Sequence, residues 1–276
     1  MSNPRAAVIV FPGSNGDRDL LEVLRTAGFD SFPHPSGQPL PDDIALAGLP
    51  GGFSYGDYWR AGMLASQEPA VRGLAGLVGR GGLVIGVCNG FQILVEAGLL
   101  PGALSYNDPA GFRHRWVTVR CTLETDSPWF RNVPNGATLR LPIAHGEGSY
   151  FHPGGFDAVA SHAPLLYEEN PNGSVGDVAA LLDDTGRVLG IMPHPERASD
   201  LDLGSADGLR LFEGAYRAVT RDPSPVTRRP SPVARRRQEE GLQPPASSKE
   251  KASSLQPPAS SKKPVDTIPS ATGVQR

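Results

Sequence analysis

The sequence predicts an α/β fold over residues 1–221, a three-layer sandwich with a mainly parallel central sheet, followed by a disordered tail over residues 222–276. Short apolar, β-branched segments alternate with segments of helical periodicity, which is typical of a parallel sheet covered by helices. Glycine-rich turns follow several predicted strands, at the carboxyl ends where ligands bind in such folds. The composition changes at about residue 222, and this change sets the boundary between domain and tail.

The predicted elements of the first half are each justified by apolar spacing and flanking glycines. They are a strand at 6–11, a helix at 17–27, a strand at 44–49, a weak helix near 67–78, a strand at 83–85 and a helix at 91–97 that stops at Gly98. The glycine-containing turn at 12–16 comes directly after the first strand, and the loop at 50–57 comes directly after the second.

The second half has a different pattern. Residues 116–119 and 138–141 alternate like strands with no helix between them, which predicts an antiparallel or mixed extension of the sheet between about 112 and 182. The Asp-Asp-Thr-Gly segment at 183–186 predicts a hairpin turn, and the apolar spacing over 205–220 predicts a closing helix.

The tail contains no aromatic residue, is dense in Pro, Ser, Arg and Lys, and repeats the segment 242–249 as 255–262. Such a composition cannot offset an ordering entropy of about 1–2 kcal/mol per residue, so we expect disorder. The tail holds ten Lys or Arg against five Asp or Glu, whereas the chain as a whole has a net charge of -3. The domain before it is therefore acidic, which argues against nucleic-acid binding by the folded part.

Cys88 lies in the segment Gly-Val-Cys-Asn-Gly at 86–90, between a predicted strand and a predicted helix. The spacing Gly-x-nucleophile-x-Gly is typical of a sharp strand-to-helix turn, because glycine lacks the Cβ atom that would clash there. The amino end of the following helix favours a thiolate. A buried free cysteine is also a common core residue, and the pentapeptide alone does not decide between these interpretations.

His194 and Glu196 lie just past the predicted strand at 188–191, within the segment Met-Pro-His-Pro-Glu-Arg at 192–197. In an extended segment residues i and i+2 face the same side, so Glu196 could orient the imidazole of His194. Alone, this pair is more typical of a turn histidine beside a solvated glutamate. Together with Cys88 it indicates a nucleophile, a base and an orienting carboxylate, so we predict these three as catalytic residues.

Several function classes are excluded or disfavoured. No apolar run approaches the roughly 20 residues of a membrane span, and residues 1–5 show no signal-peptide pattern. The only other cysteine, Cys121, is predicted to lie in the core, so no disulfide is expected and a cytoplasmic location is favoured. The sequence has neither Cys-x-x-Cys nor His-Glu-x-x-His, so no metal site is expected.

The sequence resembles the class I glutamine amidotransferases and, within them, the branch formed by the glutaminase subunits of phosphoribosylformylglycinamidine synthase. Gly-x-Cys-x-Gly and His-x-Glu are shared with the wider class, while Gly-Gly-Phe-Ser-Tyr-Gly-Asp at 51–57 and Gly-Ser-Ala-Asp-Gly at 204–208 are peculiar to the branch. The resemblance covers nearly all of residues 6–220. Gly16 departs from it, since members often carry a cysteine there, and the tail has no counterpart.

The resemblance implies a flavodoxin-like fold and hydrolysis of glutamine through a thioester on Cys88. The ammonia would pass to a synthetase subunit, which converts formylglycinamide ribonucleotide to its amidine with ATP in de novo purine biosynthesis, often with a small bridging subunit. The chain has no Gly-x-x-x-x-Gly-Lys-Ser/Thr motif, so no cofactor is expected here and ATP with Mg²⁺ is expected on the partner.

The resemblance also implies an oxyanion site formed by the backbone N–H groups of Asn89 and Gly52. His145 and Glu147 lie in a segment distinctive of the branch, and we expect loop structure or partner contact from them rather than catalysis.

Two alternatives remain open. One is a self-contained cysteine hydrolase, for example an enzyme that cleaves γ-glutamyl peptides without a partner. The other is a non-catalytic binding module in which residues 13–16 cradle a phosphate at the amino end of the first helix.

Overall fold

A nine-stranded mixed sheet lies at the centre of this computed structural model, which describes residues 2–221. The strands of the domain, in chain order, are β1 (Arg5–Val10), β2 (Asp30–Pro35), β3 (Leu46–Leu49), β4 (Leu83–Val87), β5 (Ala103–Ser105), β6 (Arg113–Cys121), β7 (Thr138–His145), β8 (Ser149–Phe151), β9 (Leu165–Tyr167), β10 (Val178–Leu182) and β11 (Val188–Ile191). The α-helices are α1 (Asp17–Ala27), α2 (Pro69–Arg72), α3 (Leu74–Gly79), α4 (Asn89–Glu96) and α5 (Leu209–Arg221).

The order of strands across the sheet is β2-β1-β3-β4-β11-β10-β9-β6-β7, and β5 pairs separately with β8. In this order across the sheet, each pair of neighbours from β2 through β11 is parallel. Each pair of neighbours from β11 through β7 is antiparallel. This confirms both the parallel sheet and its antiparallel extension. The carboxyl ends of β1, β3, β4 and β11 consequently meet at one edge, which is where the loops carrying Gly52, Cys88 and His194 begin.

Helices cover both faces of the parallel half. A Cβ atom on Gly48 of β3 would meet the side chain of Leu20 in α1, whereas one on Gly86 of β4 would meet Leu94 in α4. Because Gly86 is in register with Leu49 and successive residues of a strand face opposite sides, α1 and α4 lie on opposite faces. The three-layer sandwich is thus confirmed.

Several predicted boundaries are confirmed and others move. Helix α1 spans the predicted residues, the hairpin turn at 183–186 joins β10 to β11, and the closing helix begins at Leu209 as α5. The predicted weak helix near 67–78 is two short helices, α2 and α3. The disordered tail predicted over 222–276 lies outside the described residues.

Strand β2 was not predicted, and it contains Pro33 and Pro35, residues that are disfavoured within a strand. It forms the edge of the sheet and pairs only with β1. The backbone N–H groups of Asp30 and Ser36 donate to the carbonyls of Pro4 and Val10, at the two ends of β1. Successive residues of a strand alternate in direction, so the backbone nitrogens of residues 31, 33 and 35 face away from β1. Both prolines therefore occupy positions where β1 needs no donor.

The core follows from uninterrupted apolar strands. Every residue of β3, β4, β10 and β11 is buried, as expected for strands covered on both faces. Cys121 is fully buried, which confirms its predicted place in the core, and burial raises the pKa of its thiol. Within residues 2–221, none of the helices has the length and apolar character that crossing a bilayer requires.

Candidate active site

Cys88 lies at the turn between β4 and α4, as predicted, with φ 50° and ψ −104°. Positive φ is costly for a residue with a Cβ atom and is characteristic of functional turns. The flanking glycines have the predicted steric role. A Cβ atom on Gly90 would lie 2.1 Å from the carbonyl oxygen of Leu49, and one on Gly86 would lie 2.5 Å from that of Gly90.

The strand-to-helix turn at Cys88, called the elbow below, is fixed by hydrogen bonds to neighbouring strands. The backbone N–H of Cys88 donates to the carbonyl of Ile191 at 2.8 Å, which ties the nucleophile to the strand that leads to His194. Its Sγ lies 3.7 Å from the carbonyl oxygen of Ala144. The side chain is buried but borders a cavity of about 100 Å³. A small amide substrate could therefore reach the sulfur.

His194 and Glu196 form a buried pair. Nδ1 of the imidazole lies 2.6 Å from Oε1 of Glu196, and each residue is no more than 3% exposed. The carboxylate accepts from Nδ1–H, which leaves Nε2 as the free end of the ring; that atom is buried and has no hydrogen-bond partner within residues 2–221. Burial alone would lower the pKa of His194, but the charges of Glu196 and Cys88 outweigh it and raise that pKa to about 10.

The local conformation of this pair differs from the prediction. Residues 195–197 form one turn of 3₁₀ helix rather than a continued extended segment. Glu196 therefore meets His194 across a turn begun by Pro195. The predicted contact between the two side chains is present, but the i, i+2 argument that led to it was wrong; the orienting role of Glu196 stays a prediction.

The loop after β3 is locked to the loop after β1. Gly16 N–H donates to the carbonyl of Gly51 at 3.0 Å and Phe53 N–H donates to that of Gly13 at 3.1 Å. At Gly52, with φ +146°, a Cβ atom would lie 2.8 Å from the backbone nitrogen of Asn15. Gly51, whose role the sequence did not indicate, packs against the ring of His194.

These contacts bear on the phosphate-cradle alternative. The N–H of Ser14 donates to the carbonyl of Phe11, and those of Asn15 and Gly16 both donate to the carbonyl of Gly51. A phosphate site at a helix terminus requires free N–H groups. The amides of residues 14–16 are thus occupied within the turn or by the loop at 50–57, so the structure disfavours that alternative.

Asn89 joins the elbow to this loop. Its side-chain Oδ1 accepts from the N–H of Ser54 at 3.1 Å, while Nδ2 donates to Asp57 at 3.1 Å and to Gln92 at 2.9 Å. Its own backbone N–H stands at the first position of α4, where no helical carbonyl is available. Gly52 lines the Cys88 cavity. The assignment of Asn89 and Gly52 N–H groups to an oxyanion remains a prediction.

His145 and Glu147 also line this cavity, a location that the sequence did not indicate. Nδ1 of His145 lies 3.0 Å from Oδ1 of Asn107, whose Nδ2 donates to two backbone carbonyls. Nδ1 is therefore the donor and Nε2 an acceptor. Burial, together with the charges of His194 and Arg113, lowers the pKa of His145 to about 4, so the ring is neutral at pH 7.

The wall of the cavity combines the loop after β3, the turn and first residues of α4 after β4, the end of β7 with the loop that follows it, and the residue just before β6. Its lining residues are Gly52, Phe53, Asp57, Cys88, Gln92, Phe112, Ala144, His145, Gly146 and Glu147. No cluster of potential metal ligands occurs among the described residues.

The chain is similar to known glutamine amidotransferases. A family model described as a CobB/CobQ-like glutamine amidotransferase domain matches residues 3–206. The chain is 45% identical over 221 residues to phosphoribosylformylglycinamidine synthase subunit PurQ of Ruegeria pomeroyi, covering 78% of this chain and 99% of the relative. It is 46% identical over 228 residues to the PurQ subunit of Thermus thermophilus, covering 79% and 100%.

A solved structure extends the likeness to three dimensions. A chain of the structure of PurLQS from Thermotoga maritima superposes with a TM-score of 0.74 and 41% identity, over 79% of this chain and 100% of that chain. Fold and site together define a glutamine amidotransferase domain. The chain belongs to the PurQ family of phosphoribosylformylglycinamidine synthase subunits.

Proposed function

We propose that the chain hydrolyses L-glutamine to glutamate and ammonia and supplies the ammonia to the synthetase subunit of phosphoribosylformylglycinamidine synthase. The observation that carries the proposal is Cys88 at a strained elbow beside the buried His194–Glu196 pair. The family membership supports the same activity.

In the proposed first step, the thiolate of Cys88 attacks the side-chain amide carbon of glutamine. The oxyanion that forms accepts from the N–H groups of Asn89 and Gly52. The imidazolium of His194 donates its Nε2 proton to the amide nitrogen, the C–N bond breaks, and ammonia leaves. A γ-glutamyl thioester remains on Cys88.

In the second step, the neutral imidazole of His194 takes a proton from water, whose oxygen attacks the thioester carbon. The C–S bond breaks, glutamate leaves, and the thiolate is restored. Glu196 holds Nδ1–H throughout and thereby keeps Nε2 directed at the reacting atoms. The high pKa of His194 keeps the acid protonated for the first step.

Partner binding is supported by the surface around the cavity. Phe53 and Phe112 line the cavity and are about half exposed. Tyr58 and Trp59 follow the cavity residue Asp57 directly along the chain, their rings lie 6.3 Å apart, and Trp59 is 76% exposed. We call these four residues the mouth aromatics. Exposed apolar side chains grouped at one place are typical of protein interaction sites. In the proposal this surface docks the synthetase, a small subunit bridges the two, and ATP and Mg²⁺ bind on the synthetase.

A free thiolate needs a reducing compartment, so we propose a cytoplasmic location. The experiment that tests the whole proposal measures glutamate release and amidine formation by the purified chain, first alone and then with the synthetase and small subunits. We expect glutamine-dependent amidine formation only in the complete mixture, with faster glutamate release. Glutamine hydrolysis that proceeds fully in the isolated chain and is unchanged by the subunits would instead favour the self-contained hydrolase.

A further inference from the structure

Two carboxylates line the Cys88 cavity, and no Lys or Arg is among its lining residues. Asp57 belongs to the loop after β3 and Glu147 to the loop after β7. Within residues 2–221, every ion pair joins other side chains, so neither carboxylate is neutralised by Lys or Arg. Two acids that face one small cavity repel each other. A ligand that carries a positive charge would relieve this repulsion.

Both acids are held in place from the same helix. Asn89 of α4 donates from its side chain to Oδ1 of Asp57 at 3.1 Å, and Gln92 donates from its side chain to the backbone carbonyl of Glu147 at 2.7 Å. The two amide side chains are themselves joined at 2.9 Å. The distance from Cys88 to each acid is therefore set by the first turn of the helix that follows the nucleophile.

His145 supplies an independent indication of a ligand-binding site. It is 3% exposed, it lines the same cavity, and its Nε2 acceptor has no partner within the described residues. A buried acceptor without a donor is costly, so such atoms usually meet a water molecule or a ligand. The cavity thus offers three acceptors and calls for a ligand rich in N–H donors.

We propose that Asp57 and Glu147 bind the α-ammonium group of free L-glutamine, with His145 Nε2 accepting a further N–H of the substrate. The proposal rests on the glutaminase activity proposed above and adds its substrate specificity. A glutamine whose α-nitrogen is acylated, as in a peptide, has no positive charge to offer. Such a compound would leave both carboxylates desolvated without a counter-charge, so the site selects the free amino acid.

The test compares L-glutamine with 5-amino-5-oxopentanoate, which keeps the reacting amide and lacks the α-amino group. Hydrolysis of both is measured in the complex with the synthetase and small subunits. We expect Asp57→Asn and Glu147→Gln each to lower kcat/KM for L-glutamine by about 10- to 100-fold, the range of a charged hydrogen bond. The analogue should be affected by less than about threefold, so discrimination between the substrates shrinks.

Matched controls remove the same charges elsewhere. Asp42→Asn and Glu22→Gln alter side chains that are 98% and 74% exposed and do not line the cavity, so both rates should remain unchanged. Equal losses with both substrates, or no loss in either cavity variant, would overturn the proposal.

A binding measurement separates this proposal from the proposed function. Calorimetric titration of the Cys88→Ala complex compares its affinity for L-glutamine and for the analogue, which requires no catalysis. Preference for L-glutamine that is lost on adding Asp57→Asn supports the ammonium site even if the wild-type complex releases no ammonia. Equal affinity for both compounds contradicts the ammonium site even if hydrolysis is observed.

Discussion

The backbone of Gly51 packs against the imidazole of His194 with no space for a side chain. A Cβ atom on Gly51 would lie 2.8 Å from Cε1 of His194 and 3.6 Å from Cβ of Cys88. A side chain at position 51 would therefore meet both the nucleophile and its acid–base partner. Because Gly51 is also bonded to the turn at 12–16, the relative placement of Cys88 and His194 depends on two loops that carry neither residue.

Gly51→Ala should lower glutamine-dependent activity by more than about tenfold, because the methyl group displaces the ring from its position beside Cys88 and misplacement of about 1 Å can cost 100-fold. Ammonium-dependent amidine synthesis by the complex should be unchanged. The control is Gly79→Ala at the end of α3, where a Cβ atom meets nothing within 4 Å. Wild-type kinetics in Gly51→Ala would refute the packing argument.

Cys88→Ala and His194→Ala should each reduce glutamine-dependent turnover by about 1,000-fold or more. Glu196→Ala should be at least about tenfold less severe, because it orients the base and does not contact the reacting atoms in the proposed mechanism. Added ammonium salts should restore amidine formation in all three. Cys121→Ser, which alters the core thiol, should change stability more than turnover. Glutamine-dependent turnover within about tenfold of wild type for Cys88→Ala contradicts the nucleophile assignment.

The pH dependence follows from Asp57. Burial, reinforced by the charge of Glu147, raises the pKa of Asp57 to about 6, so the carboxylate is charged above about pH 6 and neutral below it. Binding of an ammonium group requires the charged form, so kcat/KM for L-glutamine should fall as the pH drops from about 7 to about 5. His145 stays neutral over this range because its pKa is about 4. The fall in kcat/KM over this pH range should be absent from the Asp57→Asn variant and present in the Asp42→Asn variant.

Trp59→Ala should weaken association with the synthetase subunit by about 5- to 150-fold, the range of a buried aromatic anchor at an interface. Its thermal unfolding should match that of wild type, because the side chain is 76% exposed in the isolated chain. Leu201→Ala is the control, since that side chain is 78% exposed and lies in a separate hollow beside Arg140 and Glu213. Equal affinities of the two variants for the synthetase subunit, measured by calorimetry, would contradict a role of Trp59 in the interface.

The features that could be predicted from sequence are those set by local sterics. The elbow at Cys88 follows from two glycines whose Cβ atoms would clash, and α1 follows from apolar spacing bounded by Gly16 and Gly28. The contact between His194 and Glu196 was also predicted, although it arises from a turn rather than from extended backbone.

The remaining features depend on contacts distant in sequence. Asp57 and Glu147 converge only because β3 and β7 direct their following loops to one cavity, and no local pattern encodes that meeting. Gly51 has the local signature of a flexible loop, whereas its function is to let the ring of His194 approach. Strand β2 carries prolines that are disfavoured in a strand, and it forms because β1 needs no donor from those positions.

The two prolines of β2 also determine what this edge of the sheet can recruit. Pro33 and Pro35 occupy positions whose N–H groups would otherwise point to solvent, so two donors are missing from the exposed edge. A strand from another molecule would find an incomplete hydrogen-bonding ladder there, which protects the protein against edge-to-edge aggregation. The prolines that make β2 hard to recognise in the sequence therefore make this edge of the folded sheet a poor template for another strand.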